Sequence, residues 1–137
     1  MSQYLQVRVA DVYVLLPALQ VHEVMGLDEH ITQSEAHVAW RDQVIALLDL
    51  GEVFERSART RRDYGVVYSF SEEGSEPAML MVDEVLGLRR PTASEWRPLP
   101  SIQSRAQTLF DAVWVEPSGG RHAYRLRHPA PLNEVGH

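Results

Sequence analysis

The stretch from Arg41 to Phe54 constrains the fold most, because it places an unbroken apolar run between clear local signals for a turn and a helix start. Residues 44–48 are apolar without alternation, which predicts a strand covered on both faces, although a buried helix can show the same run. Asp49 favours the strand, since it can cap a short helix that starts after it. Glu52 then takes the position that reaches back to the cap N–H. We expect the core to be built around this turn, buried strand and capped helix.

The chain has 137 residues, the length of one domain, and can bury roughly two thirds of its unfolded surface. Residues 1–137 are therefore expected to form a single domain. Cysteine is absent, which excludes disulfide and thiolate chemistry. No stretch approaches the roughly 20 apolar residues of a membrane span, and the N-terminus lacks a signal-peptide pattern. We expect a cytoplasmic protein that does not insert directly into the membrane.

The charge balance argues against nucleic acid as the main partner. The formal net charge is −6, whereas phosphate binding is driven by an excess of Lys and Arg. Four of the thirteen arginines lie between Arg56 and Arg62, in a polar connector predicted at about residues 55–64. A phosphate-binding patch is one interpretation of this cluster. A solvated loop is favoured, because no aromatic residues are interleaved and the rest of the chain is acidic.

Short strands separated by turn signals dominate the chain. They are predicted over residues 3–9, 12–16, 21–25, 36–40, 44–48, 65–70, 78–86, 109–116 and 121–127. Residues 3–9 alternate strictly, which indicates a half-buried strand. Pro17 should end the second strand and begin one helical turn, and Gly87 should bend or end the strand at 78–86. Residues 117–120 predict a hairpin turn, residues 88–100 an extended crossover with three prolines, and residues 128–137 an irregular tail. About nine strands with almost no helix predict an all-β barrel or sandwich.

No pattern for catalysis, a cofactor or a metal is present. The six histidines do not occur at ligand spacing, and the chain has no nucleophile elbow, Walker loop or Gly-rich strand-to-helix turn. Adjacent Asp83 and Glu84 would point to opposite faces of a strand and could not easily share a substrate. An enzyme or small-ligand binder that uses His22/Glu23 and Asp83/Glu84 remains the remote alternative. The favoured interpretation is a catalytically silent β-domain that binds other proteins.

Four segments in order resemble the CheW-like domain family of chemotaxis adaptors, over about residues 3–127. Residues 21–24, V-H-E-V, match the family's V-x-E-[IV], and residues 39–50, A-W-R-D-Q-V-I-A-L-L-D-L, match N-L-R-G-x-V-[IL]-P-[IV]-[IV]-D-L. Residues 82–87, V-D-E-V-L-G, match V-D-x-V, and the late hairpin at 109–126 is similar. The resemblance implies two small, intertwined five-stranded β-barrels that share a core.

The resemblance also implies a non-catalytic function. Family members bridge the regulatory domain of a CheA-type histidine kinase to the cytoplasmic tip of a chemoreceptor. Glu23 and Arg41 match the family's Glu and Arg near the receptor-facing groove, with Val21 and Val24 beside Glu23. Asp42 stands where the family has glycine, and it could neutralise Arg41 or redirect it to another partner. The implied partner-binding residues are thus Val21, Glu23, Val24, Arg41 and Asp42.

The chain departs from the family pattern between the Glu and the Arg. This segment is about six residues short and has Ile31-Thr32-Gln33-Ser34 in place of apolar contacts, and Ala46 replaces the family's proline. Two functions therefore stay open within the family. One is an adaptor that couples receptor to kinase. The other is a competitor or regulator in a specialised pathway, such as twitching motility, that binds kinase or receptor without full coupling.

Overall fold

The computed structural model describes residues 2–27, 37–51, 63–70, 77–99 and 109–127, which form eleven β-strands and very little helix. The strands are β1 (Tyr4–Val9), β2 (Val12–Pro17), β3 (Val21–Gly26), β4 (His37–Trp40), β5 (Gln43–Asp49), β6 (Tyr64–Tyr68), β7 (Ala78–Val82), β8 (Glu84–Arg89), β9 (Trp96–Arg97), β10 (Phe110–Val115) and β11 (His122–Leu126). Short 3-10 turns cover Ala18–Gln20 and Ala93–Glu95, and Leu50 and Gly51 also have 3-10 conformation. The all-β prediction is confirmed, as are the turn after Pro17 and the hairpin that joins β10 to β11.

The strands form two curled sheets, in agreement with the predicted pair of barrels. Sheet A has the order β8-β1-β2-β11-β10-β9, and sheet B has the order β3-β6-β7-β5-β4. Sheet A has six strands, rather than the expected five, because the two-residue β9 pairs with β10. Two pairs are parallel, β11 with β2 and β5 with β7. The five strands of sheet B are consecutive in the chain and lie between β2 and β8.

Most strands bury both faces. Each sheet packs one face in a hydrophobic cluster of its own, and the other faces of the two sheets contribute to a third cluster, the shared core. The shared core draws on both sheets and contains Leu5, Val7, Val9, Val12, Val14, Leu16, Leu50, Val66, Tyr68, Phe70, Ala78, Leu80, Val82, Leu109, Phe110 and Leu126. The sheet-B cluster contains Trp40, Ile45, Leu47, Val67, Met79 and Met81. The sheet-A cluster contains Tyr4, Leu15, Trp114 and Ala123. Two-sided burial explains why several strands read as continuous apolar runs without alternation.

Strand β5 follows the prediction except at its start. Ile45 belongs to the sheet-B cluster, whereas Leu48 packs on the other face against the shared core. Val44 is 66% exposed, so the expectation of cover on both faces is wrong there, since the shared core begins beyond it. After β5, Asp49 Oδ1 accepts a hydrogen bond from Gly51 N–H at 2.8 Å, as a capping residue does. The expected contact from Glu52 lies outside the described residues.

The single strand predicted over residues 78–86 is wrong, because the chain changes sheets at Asp83. Strand β7 ends at Val82 in sheet B, and β8 begins at Glu84 in sheet A. Asp83 is buried; its Oδ2 accepts the Ala10 N–H at 2.6 Å, and its own N–H donates to Arg8 O at 2.9 Å. Gly87 lies inside β8 with a φ of 120°, next to a register shift in the pairing of β8 with β1. It therefore bends the strand and does not end it.

The polar face predicted for β1 is more buried than its alternation indicates. Tyr4 is 9% exposed and Gln6 is fully buried, because sheet A curls around that face. Tyr4 meets the Trp96 ring edge-on at 5.6 Å between centroids, which brings β9 against β1. Trp96 is half-buried there. Within the described part of the chain, neither polar atom of the Gln6 side chain has a hydrogen-bond partner.

The crossover from β8 to β9 is held by a capping box. Thr92 N–H donates to Glu95 Oε1 at 2.8 Å, and the Trp114 indole N–H donates to the same oxygen at 3.2 Å. The Thr92 hydrogen bond is the main cause that lowers the pKa of Glu95, since it stabilises the carboxylate. This turn fixes where Arg97 and the following Pro98 leave sheet A.

Several predicted segments lie partly or wholly outside the described residues. These are the segment Ile31-Thr32-Gln33-Ser34, most of the connector at 55–64 and the tail at 128–137. At the end of the connector, Tyr64 already belongs to β6. Among the described residues, no helix is long and apolar enough to span a membrane.

Candidate partner-binding site

Glu23, Trp40 and Arg41 form a contact that we call the seam, because it joins the two edge strands of sheet B. Strand β3 carries Glu23, whereas β4 ends at Trp40 on the opposite edge of the sheet order. Glu23 Oε1 accepts the Trp40 indole N–H at 3.1 Å and lies 3.6 Å from Arg41 Nη2. Sheet B therefore curls far enough for side chains of its two edges to meet. The structure brings Glu23 into contact with Arg41 and with Trp40, although Trp40 lies 17 positions later in the chain.

The backbone at Arg41 has an unusual conformation for its residue type. Arg41 begins the two-residue turn between β4 and β5, where Trp40 pairs with Gln43, and its φ is 53°. Positive φ is unfavourable for residues that carry a Cβ, so other contacts have to compensate for it. The guanidinium carbon lies 4.5 Å from the centroid of the Trp40 ring, a cation–π geometry. The Arg41 side chain nonetheless remains 65% exposed.

The other predicted residues occupy different environments. Val21 is half-buried and packs against the shared core. Val24 is 41% exposed and pairs with Val66, on the face of β3 opposite to Glu23. Asp42 is exposed, and within the described ranges no ion pair joins it to Arg41, whose carboxylate partner is Glu23. The predicted set thus divides into the Glu23/Arg41 contact, an exposed Asp42 beside it, and two valines that face the other way.

The predicted partner-binding set omitted two neighbours of this contact, Trp40 and His22. Trp40 provides both the indole donor to Glu23 and the ring under Arg41. His22 lies at a register shift of β3, with Nε2 2.6 Å from Ser69 Oγ and its ring 5.9 Å from that of Trp40. Trp40 could have been suspected from its position next to Arg41. The bulge that turns His22 toward Ser69 has no recognisable sequence signal.

The acidic pair considered for chemistry has structural contacts. Asp83 binds the Ala10 turn, and Glu84 Oε1 lies 3.0 Å from Arg8 Nε, a hydrogen bond that raises the pKa of Arg8. In the described ranges, no three His, Asp or Glu side chains are placed to hold a metal ion. The described cavities on sheet A are lined by neither this pair nor His22/Glu23.

Comparisons with known proteins agree with this architecture. The family model for the CheW-like domain matches residues 3–133. Among solved structures, the chain is similar to the scaffolding protein TtCheW from Thermoanaerobacter tengcongensis, with a TM-score of 0.70 and 16% sequence identity. That alignment covers 93% of this chain and 90% of the other. A comparison with curated protein sequences gives no match. The family model covers nearly the whole chain, and the protein therefore belongs to the CheW-like domain family.

Proposed function

We propose that this protein is a non-enzymatic cytoplasmic adaptor that couples a chemoreceptor to a CheA-type histidine kinase. CheW-like proteins are scaffold and adaptor proteins, and the fold matches a scaffolding protein over most of its length. The net charge of −6 fits protein partners better than nucleic acid. In this role the protein binds the kinase regulatory domain and the cytoplasmic receptor tip, and performs no chemical step.

The observation that carries the proposal is the exposed, oriented guanidinium of Arg41. Its ring contact with Trp40 and its ion pair with Glu23 restrict its direction, while 65% of the side chain stays accessible. A guanidinium offers a planar fork of donors that suits a carboxylate or the free carbonyls at a helix end. Restricting the fork before binding lowers the ordering cost when a partner arrives. The seam therefore suits recognition of a protein surface.

Calorimetry tests the adaptor role directly. The full chain is titrated with the regulatory domain of a CheA-type kinase from the same genome, and separately with a receptor tip fragment. Dissociation constants in the micromolar range are expected, as is typical of transient signalling contacts. Absence of binding to every such kinase would exclude the adaptor role.

The role of the seam in partner binding is tested with a matched pair of arginine variants. Arg41→Ala should weaken binding to at least one partner about tenfold, because a charge-assisted hydrogen bond is lost. Arg90→Ala removes an exposed arginine after β8 and should leave binding unchanged. Equal losses in both variants would mean that the effect is general electrostatics and not the seam.

A kinase assay separates an adaptor from a competitor. The specific reason to consider a competitor is Asp42, which adds an exposed carboxylate next to Arg41. An adaptor should raise receptor-coupled kinase activity when it is added to receptor and kinase. A competitor should lower the activity obtained with a coupling protein already present.

A further inference from the structure

A concave surface lies on sheet A, and the seam residues do not line it. One cavity of about 320 Å³ is lined by Arg97, Pro98, Val113, Val115, His122 and Tyr124, and we call it the hairpin cleft. A second cavity of about 320 Å³ adjoins it and shares His122 and Tyr124. Volumes of roughly 300–1,000 Å³ are typical of ligand-binding clefts, so the hairpin cleft has room for one or two side chains.

The register of the β10–β11 hairpin gives the cleft an apolar wall. Val113 pairs with Tyr124 and Val115 pairs with His122, so these four side chains share one face. Val113 is 5% exposed, whereas Val115 and Tyr124 are half-buried. An apolar group that entered the cleft would shield this surface from water, which is favourable.

Arg97 and His122 stand on opposite sides of the two valines. Arg97 on β9 pairs across from Val113, and His122 on β11 pairs across from Val115. Strands are roughly 5 Å apart, so residues on β9 and β11 lie about 10 Å apart across β10. A single short segment of an extended chain can therefore reach both sides of the cleft.

The positive charge of Arg97 is not matched by a carboxylate within the described ranges. Its Nη1 donates to two backbone oxygens, Ser94 O at 2.8 Å and Trp96 O at 3.0 Å. The acidic residues of the hairpin have arginines of their own. Asp111 pairs with Arg125 at 2.7 Å, and Glu116 lies 3.9 Å from Arg121. The cleft is therefore locally cationic in a protein whose net charge is −6.

We propose that the hairpin cleft binds an extended segment of a partner protein in which an apolar side chain stands next to an Asp or Glu. The apolar side chain packs on Val113, Val115 and Tyr124, and the carboxylate pairs with Arg97. Charge complementarity selects this occupant over a basic or neutral segment. This binding surface is separate from the seam and does not depend on the adaptor function.

Two matched peptides test the proposal on the full chain. One is acetyl-Ser-Leu-Glu-Leu-Ser-amide, and the other has Gln in place of Glu. Binding is followed by ¹H–¹⁵N correlation spectra at low salt and constant pH. The Glu peptide should bind about tenfold more tightly than the Gln peptide, with the largest shifts at Val113, Val115 and Tyr124. Equal affinities, shifts confined to the seam, or no shifts at millimolar peptide would overturn the proposal.

Variants of the protein test the carboxylate contact and the apolar contact separately. Arg97→Gln should reduce the preference for the Glu peptide to near unity, whereas Arg127→Gln, at an exposed arginine after β11, should preserve it. Val115→Ser should weaken both peptides to a similar extent. Thermal midpoints close to that of the unmodified protein would show that each variant is folded. Loss of the preference in Arg127→Gln as well would mean that general charge, and not the cleft, selects the peptide.

Discussion

Two turns of the molecule have nearly the same backbone and different contacts. Ala10-Asp11 joins β1 to β2, and Arg41-Asp42 joins β4 to β5. Both are two-residue connections whose first residue has positive φ, 55° at Ala10 and 53° at Arg41. In both, an aspartate follows. Glycine would adopt this conformation with less strain, so each turn needs a compensating interaction.

The compensation runs through the backbone in one turn and through the side chain in the other. At Ala10 the N–H donates to the buried Asp83 Oδ2, and the carbonyl accepts from Arg8 Nη1, each at 2.6 Å. At Arg41 the guanidinium stacks on Trp40 and pairs with Glu23, while remaining largely exposed. The first turn is attached to the interior. The second turn presents a charged group to the surroundings.

The largest difference between the two turns is expected in the effect of removing one aspartate from each. The first is Asp83, which binds the Ala10 N–H, and the second is Asp42, which lies in the Arg41 turn. Asp83→Ala should cost about 2–3 kcal/mol in the free energy of unfolding, because it leaves the Ala10 N–H without its carboxylate in a partly buried site. Asp42→Ala should change it by about 0.5 kcal/mol or less, since that side chain is exposed. Urea unfolding measures both. Similar losses would show that the two turns are anchored alike.

A smaller effect is expected from Arg41→Ala. The cation–π contact and the exposed ion pair together contribute about 0.5–1 kcal/mol to stability. Partner binding should fall about tenfold, roughly 1.4 kcal/mol, which is more than the loss of stability. A loss above about 2 kcal/mol in urea unfolding would instead make Arg41 a structural residue, and the contrast between the turns would disappear.

The smallest effects are expected from glycine at the first position of each turn. Ala10→Gly should raise the free energy of unfolding by about 0.5 kcal/mol, because relief of the positive φ exceeds the entropy cost of glycine. Arg41→Gly gains the same relief and loses the Trp40 contact, so its net change should be near zero. Thermal midpoints compared between the two variants measure the difference. An equal gain in both would mean that the Arg41 stack contributes nothing to stability.

Local patterns in the sequence predict most of the strands but not their sheet membership. The apolar run that includes β7 resumes at Val85 and Leu86, and only Asp83 and Glu84 interrupt it. Nothing local shows that the chain leaves sheet B at this aspartate, since its partner, the Ala10 turn, lies 73 residues away. Likewise, strict alternation in β1 predicts one solvent-exposed face, but the curl of sheet A buries Gln6 on that face.

The candidate site was predictable only in part. Family resemblance pointed to Glu23 and Arg41, and their contact at 3.6 Å depends on the curl of sheet B, which no local pattern contains. The resemblance could not show that Trp40 lies under the guanidinium or that Val24 faces away from Glu23. The hairpin cleft was missed because its alternating residues become neighbours only once the β10–β11 register is known.

The order of strands makes sheet B an insertion between two parts of sheet A, which has a practical consequence for engineering. The chain enters sheet B through the turn Ala18–Gln20, where Leu19 is 95% exposed, and returns at the buried Asp83. The two junctions would tolerate exchange very differently. A chimaera that takes its β3–β7 segment from another CheW-like protein could be joined freely near Leu19. At the second junction, the chimaera would have to retain Asp83 and its hydrogen bond with the Ala10 N–H.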